Sequence, residues 1–466
     1  GSPGTGARAK NGQGGHGEPV YETLWFRKPT TVLGWPPQAV PPGPLYTLTV
    51  GIRNFLMARP PSSMPENSTP LNLLCVSGGT EFELRKQAST LTKLIEANEE
   101  LGLGNICETI NTNSKHLKHR LVCIGKDYPS ILNQLKAYEL GGPNAATDVG
   151  AVSNKSSSRQ EKLAFMLAGQ DSQYVGMAHS LYTTHSVFRE AFQRCSILLD
   201  PHLDRPLASV LYPETGQADQ AAELIKQTAF TQPALFVLGY ALSEMWSSWG
   251  IRPDFLIGHS AGEIMAAYLA GVFSLEDALK IVTVRSKLMQ SQPSNGGMLM
   301  LVAKPEEVRE LISNANDGCN NLVIAAYNGP SNTVVSGPEE ALNQLLAHTT
   351  SSSIKTKRLE VSHAFHSAAM KTLVPELRKT LCQINFQQPI RPFVSNVTGR
   401  QVGPEIASSD YWCDHVTSPV RFAQGMNTLA TNGVRNFIEL GASSTLLSLG
   451  RQCLKNSGLA NINNCN

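Results

Sequence analysis

The stretch FLIGHSAGEIMAAYLAG, residues 255–271, joins an apolar strand, a G-x-S-x-G turn and an Ala-rich helix with no loop between them. In that succession G-x-S-x-G reads as a nucleophile elbow rather than an ordinary turn. Small residues at Gly258 and Gly262 let the chain reverse tightly. Ser260 would then project its hydroxyl above the sheet, beside the N–H groups and positive dipole of the helix start. An oxyanion formed by its attack on a carbonyl would sit there. The bland alternative is a Gly-rich strand–helix turn whose serine only caps the helix.

Outward from the elbow, residues 161–460 alternate short apolar runs with helical segments, beginning at LAFMLAG (163–169). That cadence predicts an α/β domain around a parallel sheet. Between about 297 and 362 it changes to strand MLMLVA, helix PEEVRELISNA, strands NLVIAAYN and NTVVSG, helix PEEALNQLLAH and strand KRLEVS. This βαββαβ order is ferredoxin-like. Strand-like RPFVSNV and FIELG follow it, so it reads as a subdomain inserted into the core.

Residues 71–142 predict a separate, small α/β module. It has a strand at LNLLCVS, a helix bearing Leu84, Ala88, Leu91, Leu94 and Ile95 on one face, and a second helix around Ile106–Leu117. A strand at HRLVCIG and a helix capped by Asp127 complete it. Residues 143–160, rich in Gly, Ser and Asn, read as a linker, and so do the Pro- and Gly-rich residues 1–70. Within the latter, the aromatics of YETLWF (21–26) could dock on a neighbouring domain.

The 466 residues carry 39 basic and 37 acidic side chains, a net charge of +2. No strong field would draw such a chain to nucleic acid or to a membrane surface. No apolar run approaches the length of a membrane helix, and the N-terminus lacks a basic and apolar leader pattern. The nine cysteines are scattered without a C-x-x-C pair, as reduced thiols of a cytoplasmic protein would be. In that setting the sequons at Asn67, Asn154 and Asn396 carry no weight.

Serine at its free pKa needs a base, and eleven histidines are available. An ordered series of short blocks narrows the choice: AGQDSQ (168–173), TQPALF (231–236), GHSAGE (258–263), VRSKLMQ (284–290), AAYNGPSNTVVSG (325–337), HAFHS (363–367), NVTG (396–399), YWCDHVTSPVRF (411–422) and ELG (439–441). With these the chain resembles the malonyl-CoA:acyl-carrier-protein transacylase family, in particular the acyltransferase domains of polyketide and animal-type fatty acid synthases. Residues 71–142 resemble the adaptor between ketosynthase and acyltransferase there.

The resemblance implies an α/β-hydrolase-like core with a ferredoxin-like insert, and Ser260 and His366 as a dyad. His363 is the other candidate base, at a position that shapes the pocket. It implies that a backbone carbonyl, at His415, orients the base, and that Gln170 and the Ala261 N–H receive the oxyanion. Arg285 matches the arginine that grips a malonyl carboxylate, where two parallel hydrogen bonds favour a diacid over acetyl; as a bare residue it could be a solvated helical arginine. His259, Asn328, His363 and Phe365 would line the acyl site. HAFH accompanies malonyl specificity, with Phe365 crowding an α-methyl branch. Asp171 stands where the family carries glycine, which alters the turn beside the oxyanion. No bound cofactor or metal is implied: malonyl-CoA is the substrate and phosphopantetheine sits on the partner, an acyl carrier protein, with a ketosynthase of the same synthase as a second partner. Two other functions fit the elbow, a thioester hydrolase and a catalytically silent module of a megasynthase. The chain reads either as a piece of a larger synthase or as a free-standing enzyme.

Overall fold

Leu74 and Val76 are buried while Leu73 and Cys75 are not, the period-two alternation of a strand with one covered face. The computed structural model that shows this describes residues 72–140, 150–153, 162–314, 321–351, 354–361, 363–455 and 463–465. The YETLWF segment lies outside the described residues. The chain divides into two units, residues 1–157 and 158–466.

In the first unit, β1 (Asn72–Gly78) is followed by α1 (Glu81–Glu96), α2 (Leu103–Asn113), β2 (His119–Gly125), α3 (Tyr128–Glu139) and β3 (Gly150–Ser153). The strands form one antiparallel sheet in the order β1-β2-β3. The apolar stripe of α1, Leu84, Ala88, Leu91 and Ile95, packs with Ile106, Ile110, Leu121, Ile131 and Leu135. Asp127 accepts from the Ser130 N–H and closes a capping box on α3. Helix α2 ends four residues before the expected Leu117, because Asn111, Asn113 and Ser114 favour side-chain bonds to backbone over further helix; Asn111 ties itself to Cys75 N–H and Leu73 C=O. Gly150–Ser153, inside the stretch read as linker, is the third strand of the sheet.

The second unit is built on a parallel sheet. Among its elements are β4 (Lys162–Leu167), α4 (Thr228–Ser248), β5 (Phe255–Gly258), α5 (Gly262–Leu269) and α6 (Leu275–Gln290). After the insert come β10 (Phe393–Val394), α9 (Ser409–Thr417), α10 (Phe422–Thr431), β11 (Val434–Leu440), α11 (Thr445–Lys455) and β12 (Asn463–Cys465). The sheet order is β10-β5-β4-β11-β12, every neighbouring pair parallel. Buried on both faces, its strands are continuous apolar runs such as Phe255-Leu256-Ile257.

The insert comprises β6 (Gly296–Leu301), α7 (Pro305–Asn314), β7 (Val323–Gly329), β8 (Asn332–Pro338), α8 (Glu339–Ser351) and β9 (Thr356–Arg358), with antiparallel order β7-β8-β6-β9. This is the ferredoxin-like arrangement, with its own core of Leu299, Leu301, Val308, Val335, Leu342 and Leu345. Strand β9 stops at Arg358, short of the expected KRLEVS, because Leu359 and Val361 turn to pack on the main core. Beyond that departure His366 reaches the elbow serine.

Candidate active site

The elbow is possible because three glycines lack side chains. A Cβ on Gly262 would lie 2.2 Å from the Leu167 carbonyl oxygen, one on Gly258 2.3 Å from the Glu263 nitrogen, and one on Gly169 2.5 Å from the His259 carbonyl oxygen. Strand β4, the turn and α5 therefore approach at backbone distance. Ser260 emerges at φ 51, and His366, across the cleft, at φ 55. Both are in the left-handed region that residues with a Cβ seldom occupy outside functional sites.

Ser260 Oγ lies 2.7 Å from His366 Nε2, and His366 Nδ1 lies 2.8 Å from the Ser418 carbonyl oxygen. A carbonyl only accepts, so Nδ1 carries the proton and Nε2 presents its lone pair to the serine. The orienting carbonyl is thus that of Ser418, not of His415 as expected. The physical reason is the helix end: His415 lies within α9, its carbonyl running along the axis, whereas Ser418 follows the last turn in extended backbone (ψ 149). His415 is buried instead with its ring edge-on to His366 and its Nε2 3.3 Å from Glu263 Oε2. Burial, then the positive charge of Arg285 and the neighbouring His415, hold the His366 imidazole well below its usual value.

His363 is turned away from the serine: its Nε2 faces the Gln292 carbonyl oxygen at 3.0 Å, and its ring stacks on Phe365. His259 Nε2 meets Asn328 Oδ1 at 2.8 Å, and its ring lies against Phe422. These contacts join His259, next to the nucleophile, to Asn328, and His363 to Phe365.

Arg285 is the largest fully buried side chain among the described residues. Its Nη1 donates to Gln232 Oε1 at 2.5 Å, while its Nε and Nη2 find no acceptor among the described residues. Burial lowers it to about 10, so it stays charged at neutral pH. Two unsatisfied guanidinium donors in a dry site are a receptor for an anion. Gln232 Nε2 in turn donates to Gln170 Oε1 at 2.9 Å, which links the oxyanion candidate to the arginine. Gln232 belongs to the TQPALF block, and no local pattern in that block marks it as the bridge. With the Gln170 side chain so engaged, its backbone N–H and that of Ala261 are the donors free to meet an oxyanion; neither has an acceptor among the described residues.

Asp171 takes φ 84, the conformation a glycine would adopt at no cost, so the turn keeps its shape. Its carboxyl helps line a 360 Å³ cleft with Lys226, Lys357 and Glu360, so both insert and core wall it. A cavity of 730 Å³, behind α6 and lined by His202, Lys280 and Lys287, contains none of the site residues. Beneath the elbow lie Glu263, Asn396 and Tyr411, joined by hydrogen bonds, to which sequence reasoning assigned no role. No group of metal-ligating side chains and no helix fit to cross a membrane occurs among the described residues.

A parallel-sheet core with a serine elbow, a histidine on that serine and a ferredoxin-like insert define the class: an acyltransferase of α/β-hydrolase-like architecture. The acyl transferase domain family matches residues 164–466, and the chain belongs to it. Residues 72–135 match the family described as CurL-like, PKS C-terminal. Spectinabilin polyketide synthase system protein NorB of Streptomyces orinoci is 38% identical over 382 residues, which is 82% of this chain and only 17% of NorB. Among solved structures, the acyl transferase domain of ZmaA superposes with a TM-score of 0.75 at 30% identity, covering 86% of this chain and 89% of that one. The acyl carrier protein S-malonyltransferase of Vibrio cholerae gives 0.57 at 28% identity, over 65% of this chain and 95% of its own.

Proposed function

We propose that this chain transfers a malonyl unit from malonyl-CoA to the phosphopantetheine thiol of an acyl carrier protein, within polyketide or fatty acid synthesis. The observation that carries the substrate is the guanidinium of Arg285, buried with two donors unsatisfied near a Ser–His pair. A diacid supplies the missing acceptors and leaves its thioester for the serine; a monoacid leaves them orphaned. The malonyltransferase likeness of the Vibrio structure agrees with that reading.

In the first half-reaction Ser260 Oγ attacks the thioester carbon as its proton passes to His366 Nε2. The carbonyl oxygen becomes the oxyanion, met by the N–H groups of Gln170 and Ala261. Loss of one such donor costs roughly 10²–10³ in rate. Collapse expels CoA sulfur, which takes the proton from His366, and leaves malonyl-Ser260. In the second, His366 Nε2 takes the proton of the carrier thiol, whose sulfur attacks the ester; the proton returns to Ser260 Oγ. Ser418 holds the Nδ1 proton throughout.

Phe365, stacked on His363, narrows the acyl site against an α-methyl branch. One methyl in an apolar pocket discriminates by only about 1–3 kcal/mol, so preference rather than exclusivity is expected. Intact-protein mass spectrometry after mixing with malonyl-, methylmalonyl- or acetyl-CoA should show a malonyl adduct that vanishes in Ser260→Ala. An adduct that persists in that variant sinks the mechanism. Arg285→Ala removes two charged hydrogen bonds worth about 1.5–3 kcal/mol each, so malonyl loading should fall on the order of 10²–10⁴-fold with acetyl loading little changed. Equal losses for the two donors refute the carboxylate clamp. Adding a carrier protein should move the adduct to its thiol; release as free acid would make the chain a hydrolase.

A further inference from the structure

Ser260 holds a backbone conformation that costs of order 1–3 kcal/mol, and something must hold it there. The restraint is visible. The Ser260 N–H donates to Asn396 Oδ1 at 2.6 Å, and Asn396 Nδ2 donates to the Gly258 carbonyl oxygen at 2.6 Å. One amide side chain thus grips the elbow on both sides of His259. The backbone N–H of Asn396 donates to Glu263 Oε2 at 2.8 Å, and the other Glu263 oxygen accepts from Tyr411 Oη. With its proton on the carboxylate, Tyr411 Oη accepts from Ser395 Oγ at 2.5 Å, and Ser395 Oγ accepts the N–H groups of Val397 and Thr398. Glu263, Asn396 and Ser395 are all but completely buried. Every donor in this chain of bonds has an acceptor, which is how a buried polar network becomes rigid.

We propose that Asn396 and Glu263 are positioning residues that clasp the elbow to the loop after β10, Asn396 aiming Ser260 Oγ at His366 Nε2 and Glu263 locking Asn396 in place. The proposal rests on the Ser–His reading of the site but not on the acyl donor. Among the described residues no hydrogen bond joins Asn396 to Arg285. Loss of Asn396 should therefore slow the reaction of the serine while leaving donor binding alone. A displacement near 1 Å at a reacting atom is worth about 10²-fold in rate.

The test measures three quantities on the full chain: the rate of Ser260 labelling by a fluorophosphonate, the single-turnover malonyl-loading rate at saturation, and the malonyl-CoA concentration giving half that rate. Asn396→Ala should lower both rates about 10²-fold and leave the half-saturating concentration unchanged. Glu263→Gln keeps an oxygen for the Asn396 N–H and an amide nitrogen for Tyr411 Oη, so it should recover most of the rate that Glu263→Ala loses. Should Asn396→Ala not fold, Asn396→Asp keeps the acceptor for Ser260 N–H while opposing Gly258 with an oxygen, and should still label about 10-fold more slowly. Wild-type labelling by either Asn396 variant, or a loss confined to the half-saturating concentration, overturns the clasp. Wild-type protein that labels yet takes no malonyl would overturn the acyl-donor reading and leave the clasp standing.

Discussion

His366 and Arg285 are both buried in the second unit, and the charge of Arg285 acts on His366. Burial first, and then the guanidinium, disfavour an imidazolium there, so His366 is a free base at neutral pH and is charged only as it takes the serine proton. The pH behaviour follows with its sign. In the folded chain His366 is held well below its ordinary value of about 6.5, to which unfolding releases it. Between those two values the unfolded chain binds a proton that the folded chain refuses. Stability is therefore full above about 6.5 and falls as the pH drops below it. The loading reaction needs the neutral ring, so its rate should stay flat through about pH 6.5 and decline only at lower pH. Single-turnover loading, measured from about pH 8 down to the edge of acid unfolding, checks this. A half-maximal rate at the ordinary imidazole value would show that His366 is solvated, or that another group is the base.

The strand–turn–helix of β5 and α5 works as one part, because its glycines let it lie against β4. Gly262→Ala should displace that part: the new Cβ would meet the Leu167 and Ala168 carbonyl oxygens at 2.2 and 2.7 Å, and backbone cannot step aside as a side chain can. Overpacking of this kind costs about 1–3 kcal/mol. A lower melting temperature with slower Ser260 labelling is expected; normal values for both would mean the elbow has slack. This element was legible in the sequence because strand, turn and helix are contiguous and each signal is local. The βαββαβ insert was legible for the same reason, its periods of about 2 and 3.6 changing at Gly, Pro and Asn. What was not legible depends on distant pairing. Gly150–Ser153 has no apolar period of its own and is a strand only because β2 offers it an edge. Ser418 holds His366 because α9 ends one residue earlier, and helix ends are set by fractions of a turn. Asn396 is visible in the sequence only as part of NVTG and as a sequon without weight, because its contacts to Gly258 and Ser260 lie 138 and 136 residues away.

At the scale of the whole molecule, the two units have hydrophobic cores with no residue in common. Leu74, Leu84, Ile106 and Leu135 belong to one, and Phe165, Leu256, Ile264 and Phe437 to the other. Every residue of the site, from Gln170 to Ser418, lies in the second unit, and so does the clasp. A separate core is the condition for separate unfolding, because cooperativity runs through shared buried contacts. Scanning calorimetry of the Ser260→Ala chain should show two transitions, and malonyl-CoA should raise only the one from residues 158–466. The expected stabilisation is about 2.7 kcal/mol at a hundredfold excess over Kd, since the ligand binds one folded unit and a chain without the serine hydroxyl cannot be acylated. The same addition to Arg285→Ala in that background should shift the transition less. One transition for the whole chain, or equal shifts of both, would show that the two units unfold as a single cooperative body and that binding is felt across the chain.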